Sequence, residues 1–339
     1  MNDSTATTEK TYSVQQKSPV TLVRIAKDWD WPDLLRQTPG GQGRWGEITF
    51  TLENVEECDF LVILNNRLTK PTASLCPPEH VWMIVQEPYQ PGLTDWVVEH
   101  HLPFARVYTH HPLPDTATTR YVAAPPAIPW HVNKTYDELA SSFPPKKTKR
   151  LSWIVGAAKD LPGHLRRLSF LETIERSTLP IDLFGRAVRP IEDKWNGLAP
   201  YFFSLAIENN SGPDMWTEKL ADCFLGWSVP FYYGCTNLDR YFPKDAYIPI
   251  DINDPKGAIK IIQENATPEN WEKRLPAIQK ARNLILNEYQ LFPFLVEQIH
   301  KCSIDSTMPK LPVMVPPYKR SPQATVHRLM YKLRKLLKQ

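Results

Sequence analysis

The feature that most constrains this chain is a run of short apolar segments alternating with helical patterns between residues 151 and 250. Segments 151–155, 181–184, 202–207, 229–232 and 247–250 are nearly continuous in apolar residues and bounded by polar or turn residues. A strand with no polar face must be covered on both sides, as in a parallel sheet between helix layers. Helical patterns at 164–176 and 216–226 separate these segments, and others at 254–263 and 269–300 follow them. Strand, helix, strand in this rhythm predicts a parallel sheet with right-handed crossovers. A similar signature opens the chain, with predicted strands at 21–26, 47–52, 60–64 and 81–86 and predicted helices at 31–36 and 94–100.

Residues 141–150, SSFPPKKTKR, combine polar residues, two prolines and a basic cluster, and form the best boundary between two α/β units. The organisation expected is a mobile leader (1–19), a first unit (20–148), a second unit (149–302), and a proline-rich linker with a basic tail (303–339). The chain has 33 prolines against 13 glycines, which implies many rigid connections between short elements. In the tail Val326, Leu329, Met330, Leu333, Leu336 and Leu337 fall on one helical face, with Arg and Lys on the other. A basic amphipathic helix of this kind suits peripheral membrane contact through 325–338; packing on the body or on a second subunit is the alternative.

A net charge of +3, with basic residues gathered in the linker and tail, argues against a nucleic-acid partner. The cysteines, 58, 76, 223, 235 and 302, are odd in number and lack CxxC spacing, so neither a disulfide framework nor a zinc site is indicated. The polar N-terminus has no signal-peptide pattern, and a cytoplasmic location is expected. Three motifs are set aside. Gly41, Gly43 and Gly46 spell GxGxxG, but a strand follows them instead of preceding them, so they read as a glycine turn. The pairs His100–His101 and His110–His111 lack a carboxylate at ligand spacing and read as surface or loop residues. Asp251 and Asp254 have the wrong spacing for a DxD metal site.

The chemistry concentrates at 202–250. An apolar strand ends at Ile207 and delivers Glu208 and Asn209 at its carboxyl edge; a polar loop follows, and Thr217-Glu218-Lys219 open a helix. In open α/β sheets the ligand crevice lies beyond the carboxyl ends of the strands. A helix N-terminus there offers free N–H groups to a diphosphate, and Lys219 adds a positive charge.

This segment resembles the donor domain of the fucosyltransferases of glycosyltransferase family ten. The match runs through Trp153-Ile154-Val155, Phe184-Gly185, Glu208-Asn209, Thr217-Glu218-Lys219, Val229-Pro230, and Phe242-Pro243 through Ala246-Tyr247-Ile248. The resemblance implies a GT-B fold: two Rossmann-like domains facing across a cleft, here followed by the C-terminal amphipathic helix. It implies inverting α-1,3-fucosyltransferase-like transfer from GDP-fucose to a glycan or glycolipid hydroxyl, with no tightly bound cofactor and no essential metal; a stimulatory divalent ion is left open. Glu208, Asn209, Glu218 and Lys219 would meet the donor. An arginine on the first helix of this unit would bind the diphosphate, with Arg166 and Arg167 as candidates and Arg167 preferred. Glu87, before Pro88, aligns one position late with the family's catalytic base, and Met215 stands where the family has a tyrosine. The alternatives are another nucleotide-activated sugar and a non-catalytic carbohydrate-binding relative.

Overall fold

The computed structural model describes residues 21–65, 67–90, 94, 101–113, 119–186, 188–302 and 308–319, with 322, 325, 326, 329–331 and 333 of the tail. The first sheet contains β1 (Thr21–Ala26), β2 (Arg44–Trp45), β3 (Ile48–Thr51), β4 (Phe60–Leu64), β6 (Val81–Ile84), β7 (Arg106–Thr109) and β8 (Tyr121–Ala123), while β5 (Thr72–Cys76) lies outside it. Its order is β2-β3-β1-β4-β6-β7-β8, and every pairing is parallel except that of the short β2 with β3. All five residues of β4 are buried, as expected for a strand covered on both faces.

The connecting segment carries a one-turn-scale helix, α1 (Tyr136–Ala140), closed by a capping box between Thr135 and Glu138. The second unit follows: β9 (Lys149–Ile154), α2 (Pro162–Glu175), β10 (Asp182–Phe184), β11 (Tyr201–Gly212), α3 (Glu218–Leu225), β12 (Val229–Cys235) and β13 (Ile248–Pro249). Its sheet is wholly parallel in the order β10-β9-β11-β12-β13. Helices α4 (Pro255–Asn265) and α5 (Pro268–Leu284) complete it, and α6 (Leu291–Lys301) follows. Three helices, α2, α4 and α5, begin with proline, where the missing N–H costs no helical hydrogen bond. Part of the proline excess is therefore helix initiation.

Ignoring the short β2, both sheets place the second parallel strand on one side of the first and the later strands on the other. The strand order reverses between β1 and β4 in one sheet and between β9 and β11 in the other, and a crevice opens at each reversal. The two parallel α/β units expected from the sequence are present.

Several local expectations are corrected. Residues 31–36 do not form a helix; a single 3₁₀ turn, Leu35–Gln37, follows Pro32, because Trp31 before proline is disfavoured from α conformation. The helix expected at 94–100 lies, apart from Thr94, outside the described residues. The proline-rich stretch after 303 is more than a linker: β14 (Leu311–Val315) pairs antiparallel with β5, and Lys310 meets Glu57 and Asp59 at 2.7 Å each. Helix α6, continuous in sequence with the second unit, packs Leu291, Phe292, Leu295 and Ile299 into the core of the first sheet. His110 and His111 are buried, because β7 carries the chain beneath the loop after β6. Gly41, Gly43 and Gly46 all have positive φ in the connection around β2, the glycine turn expected. In the tail, the described Val326, Leu329, Met330 and Leu333 are exposed; most of 325–338 lies outside the described residues.

Candidate functional site

The site grows from the carboxyl ends of β9 and β11. Strand pleating sends successive side chains to opposite faces, so Glu208 and Asn209 part company. Glu208 turns under α3, where its carboxylate accepts from Thr217 N at 2.8 Å and from the Thr217 hydroxyl at 2.7 Å. Its side chain is fully buried, with Lys219 Nζ 3.5 Å away. Glu208 therefore anchors the first turn of α3 from behind and does not face the cavity, a correction to its expected donor contact. Burial pushes its pKa up, against the pull of Lys219.

Asn209 turns the other way, and its Oδ1 accepts from Arg167 Nη1. Arg167 lies in α2, buried, and also donates from Nη2 to the Gly156 carbonyl at 3.0 Å. Its Nε–H has no protein partner although it is buried. Arg166, one residue earlier, is exposed to solvent away from this cluster. Of the two arginines, Arg167 is the one that the helix turns to the cavity wall.

Thr217 caps α3, accepting from Lys219 N at 3.3 Å. Lys219 Nζ lies 3.2 Å from Glu218 Oε1. Glu218 Oε1 is also 3.7 Å from Lys194 Nζ and 3.9 Å from His131 Nδ1. Burial opposes ionisation of Glu218, but Lys219, Lys194 and His131 outweigh it and hold its pKa well below the usual carboxylate range. Burial likewise opposes charge on Lys219, and Glu218 with Glu208 more than offsets this, so its pKa is raised. Lys194 is anchored by Asp222, one turn beyond Glu218, at 2.8 Å. The other Asp222 oxygen accepts from the backbone N–H of His131 at 2.8 Å.

Lys194, Asp222 and His131 were not among the residues expected from the sequence. Two carboxylates four residues apart in one short helix, Glu218 and Asp222, were the available signal, since that spacing places both on one face. Lys194 and His131 come from distant loops and had none.

These groups open on a cavity of about 910 Å³ whose lining includes Gly156, Arg167, Lys194, Glu218, Lys219 and Asp222. It meets a smaller cleft of about 270 Å³ between the two units, with Trp31, Asn65, Glu87, Asn209, Met215 and Lys219 on its walls. Trp31, His131, Glu218 and Lys219 line both. Glu87 thus stands on the first unit's side of the cleft that holds Asn209 and Lys219 on the other. Its carboxylate is 3.3 Å from Arg67, with both side chains partly exposed. Among the described residues no three His, Cys, Asp or Glu side chains converge in a metal-binding cluster.

Fold and site together define a two-unit α/β protein whose crevice brings Arg167, Lys194 and Lys219 to the N-terminus of α3, an arrangement suited to an anionic ligand. Residues 144–265, most of the second unit, match the model of the glycosyltransferase family 10 (fucosyltransferase) C-terminal domain. The chain is 31% identical over 142 residues to the human 3-galactosyl-N-acetylglucosaminide 4-alpha-L-fucosyltransferase FUT3, a match covering 40% of this chain and 37% of that one. Human 4-galactosyl-N-acetylglucosaminide 3-alpha-L-fucosyltransferase FUT5 matches at 31% identity over 142 residues, spanning 36% of its length. The chain thus aligns with little more than a third of these relatives. Among solved structures, an alpha1,3-fucosyltransferase with GDP-fucose superimposes with a TM-score of 0.47 at 16% identity, covering 85% of this chain and 96% of that one. S. aureus TarM in complex with UDP gives a TM-score of 0.41 at 9% identity, covering 71% of this chain and 55% of that one.

Proposed function

We propose that this protein is an inverting glycosyltransferase that moves fucose from GDP-fucose to a hydroxyl of a glycan acceptor. The observation that carries this is the coincidence of the family 10 match with the stretch supplying Arg167, Glu218 and Lys219 to one cavity and Asn209 to the cleft that adjoins it. The guanidinium of Arg167, its Nε–H unpaired, suits a phosphate oxygen. Lys219 and the N-terminus of α3 face the same anion.

In the reaction Glu87 takes the proton of the acceptor hydroxyl as that oxygen bonds to the anomeric carbon of fucose. The bond from that carbon to the diphosphate oxygen breaks on the opposite face, through an oxocarbenium-like transition state. GDP leaves with the bonding electron pair, and Arg167 and Lys219 offset the charge that grows on it. Calorimetric titration of GDP-fucose, with GDP-mannose and UDP-glucose as controls, tests this. Selective binding of GDP-fucose that Lys219→Ala weakens at least tenfold is expected; no binding by the wild type would sink the proposal.

Met215 at the cleft favours a second reading, in which the donor is another nucleotide-activated sugar. GDP-mannose binding in the same titration would select it. Exposed Val326, Leu329, Met330 and Leu333 in a basic tail support peripheral membrane contact. Flotation with anionic phosphatidylglycerol vesicles is expected, and is to be lost on truncation at 322; equal flotation of the truncated protein would refute it.

A further inference from the structure

Strand β6 ends at Ile84, and the next residues lead to Glu87 at the cleft. Past the end of a ladder, backbone N–H groups need new partners or stand unsatisfied. Two of them find the same one: Asn65 Oδ1 accepts from Gln86 N at 2.7 Å and from Glu87 N at 3.2 Å. Asn65 is the residue just after β4 and is held with φ +65°, a left-handed conformation that asparagine tolerates better than most residues. Its own N–H donates to the Ile84 carbonyl at 2.9 Å, which locks its position against the end of β6. On the other side of the peptide, His111 Nε2 lies 2.8 Å from the Glu87 carbonyl. A carbonyl only accepts, so Nε2 carries the proton. Pro88 follows and restricts the backbone of Glu87 further.

Glu87 is therefore pinned at its N–H and at its C=O by side chains from two neighbouring strand ends, while its carboxylate stays partly exposed in the cleft. We propose that Asn65 is the positioning residue of the proposed base. The clamp, completed by His111, removes backbone freedom at Glu87 so that its carboxylate meets the acceptor hydroxyl in one orientation. This rests on the assignment of Glu87 as the base. The strained φ of Asn65 is consistent with it, since such conformations persist where the surroundings hold them for a purpose.

Three variants separate clamp, backbone conformation and base. Asn65→Gly keeps the left-handed φ without steric cost but removes the acceptor; Asn65→Asp keeps the acceptor; Glu87→Gln removes the base. Each is assayed for fucosyl transfer to N-acetyllactosamine and for acceptor-free hydrolysis of GDP-fucose. GDP-fucose affinity is measured by calorimetry, and amide hydrogen exchange over 84–89 by mass spectrometry. The expectation for Asn65→Gly is a turnover loss on the order of a hundredfold, unchanged GDP-fucose affinity and faster exchange over 84–89. Asn65→Asp is expected to restore slow exchange and most of the turnover. Unchanged exchange in Asn65→Gly overturns the clamp whatever the activity. Wild-type turnover in that variant, or equal loss in the Gly and Asp variants, overturns the positioning role. Full activity in Glu87→Gln removes the base assignment instead, and with it the group being positioned; GDP-fucose binding that fails in the wild type counts against the function itself.

Discussion

At the residue scale the site is a balance of buried charges, and each carboxylate has a different task. Glu218 is held ionised by three cationic or titratable neighbours, whereas Glu208 is buried under α3 with its oxygens committed to Thr217. The folded pKa of Glu208 lies above its ordinary value of 4.5, so the native state holds that proton more tightly than the unfolded chain. Stability contributed by this group is then fully present below the unfolded pKa and declines as pH rises through the folded one. Glu208→Gln keeps an acceptor for Thr217 and removes the titration. The difference in unfolding free energy, wild type minus variant, should fall as pH rises above 4.5 and then level off. Urea unfolding at a series of pH values measures it, and a difference that stays flat or climbs with pH would sink the assignment of Glu208 as a buried, proton-hungry anchor.

At the element scale the crevice that holds Arg167 depends on how closely α2 approaches β11. Gly163, in the first turn of α2, sits where an added Cβ would come within 1.4 Å of the Asn209 carbonyl oxygen. No side chain fits there without moving the helix, and Arg167 moves with it. Gly163→Ala should destabilise the protein by about 3 kcal/mol and weaken GDP binding by an order of magnitude or more, read by thermal unfolding and calorimetry. Ser169→Ala, on the exposed face of the same helix, is the control; GDP binding in Gly163→Ala equal to wild type would count against this packing as the support of Arg167. The second unit was legible in the sequence because its strands are buried on both faces and appear as continuous apolar runs. In the first unit β5, β7 and β8 are short and carry polar residues, and β14 finds its partner more than two hundred residues away, beyond what local pattern can reveal. The site was legible where a helix opening announced it, at Thr217, Glu218 and Lys219. It was misjudged at Glu208, because a Glu-Asn pair at a strand end names two residues but the pleat presents only one to the crevice.

At the scale of the whole molecule, two sheets with the same order reversal face one another, and the proposed transfer requires that both crevices keep register. Several side chains hold that arrangement. Arg36 in the first unit donates to the carbonyls of Trp130 and Val132 in the connecting segment, and Arg282 of α5 reaches Leu139 and Ser142 at its far end. Gln290, before α6, donates to the Gln37 carbonyl at 3.0 Å, where the chain returns to the first unit. Across the cleft itself, Asn210 Nδ2 of β11 donates to the Tyr89 carbonyl at 2.7 Å, two residues beyond Glu87. This hydrogen bond ties the strand that presents Asn209 to the segment that presents Glu87. Asn210→Ala deletes it without touching the cavity that holds Arg167 and Lys194. A hydrogen bond of this kind contributes about 1 kcal/mol, so turnover should fall about fivefold while GDP-fucose affinity, proposed to rest on Arg167 and Lys219, stays as it was. Steady-state transfer kinetics beside calorimetry separate the two quantities. If donor affinity falls in step with turnover, the two crevices are not independent, and the division of labour between a donor unit and a base-bearing unit fails.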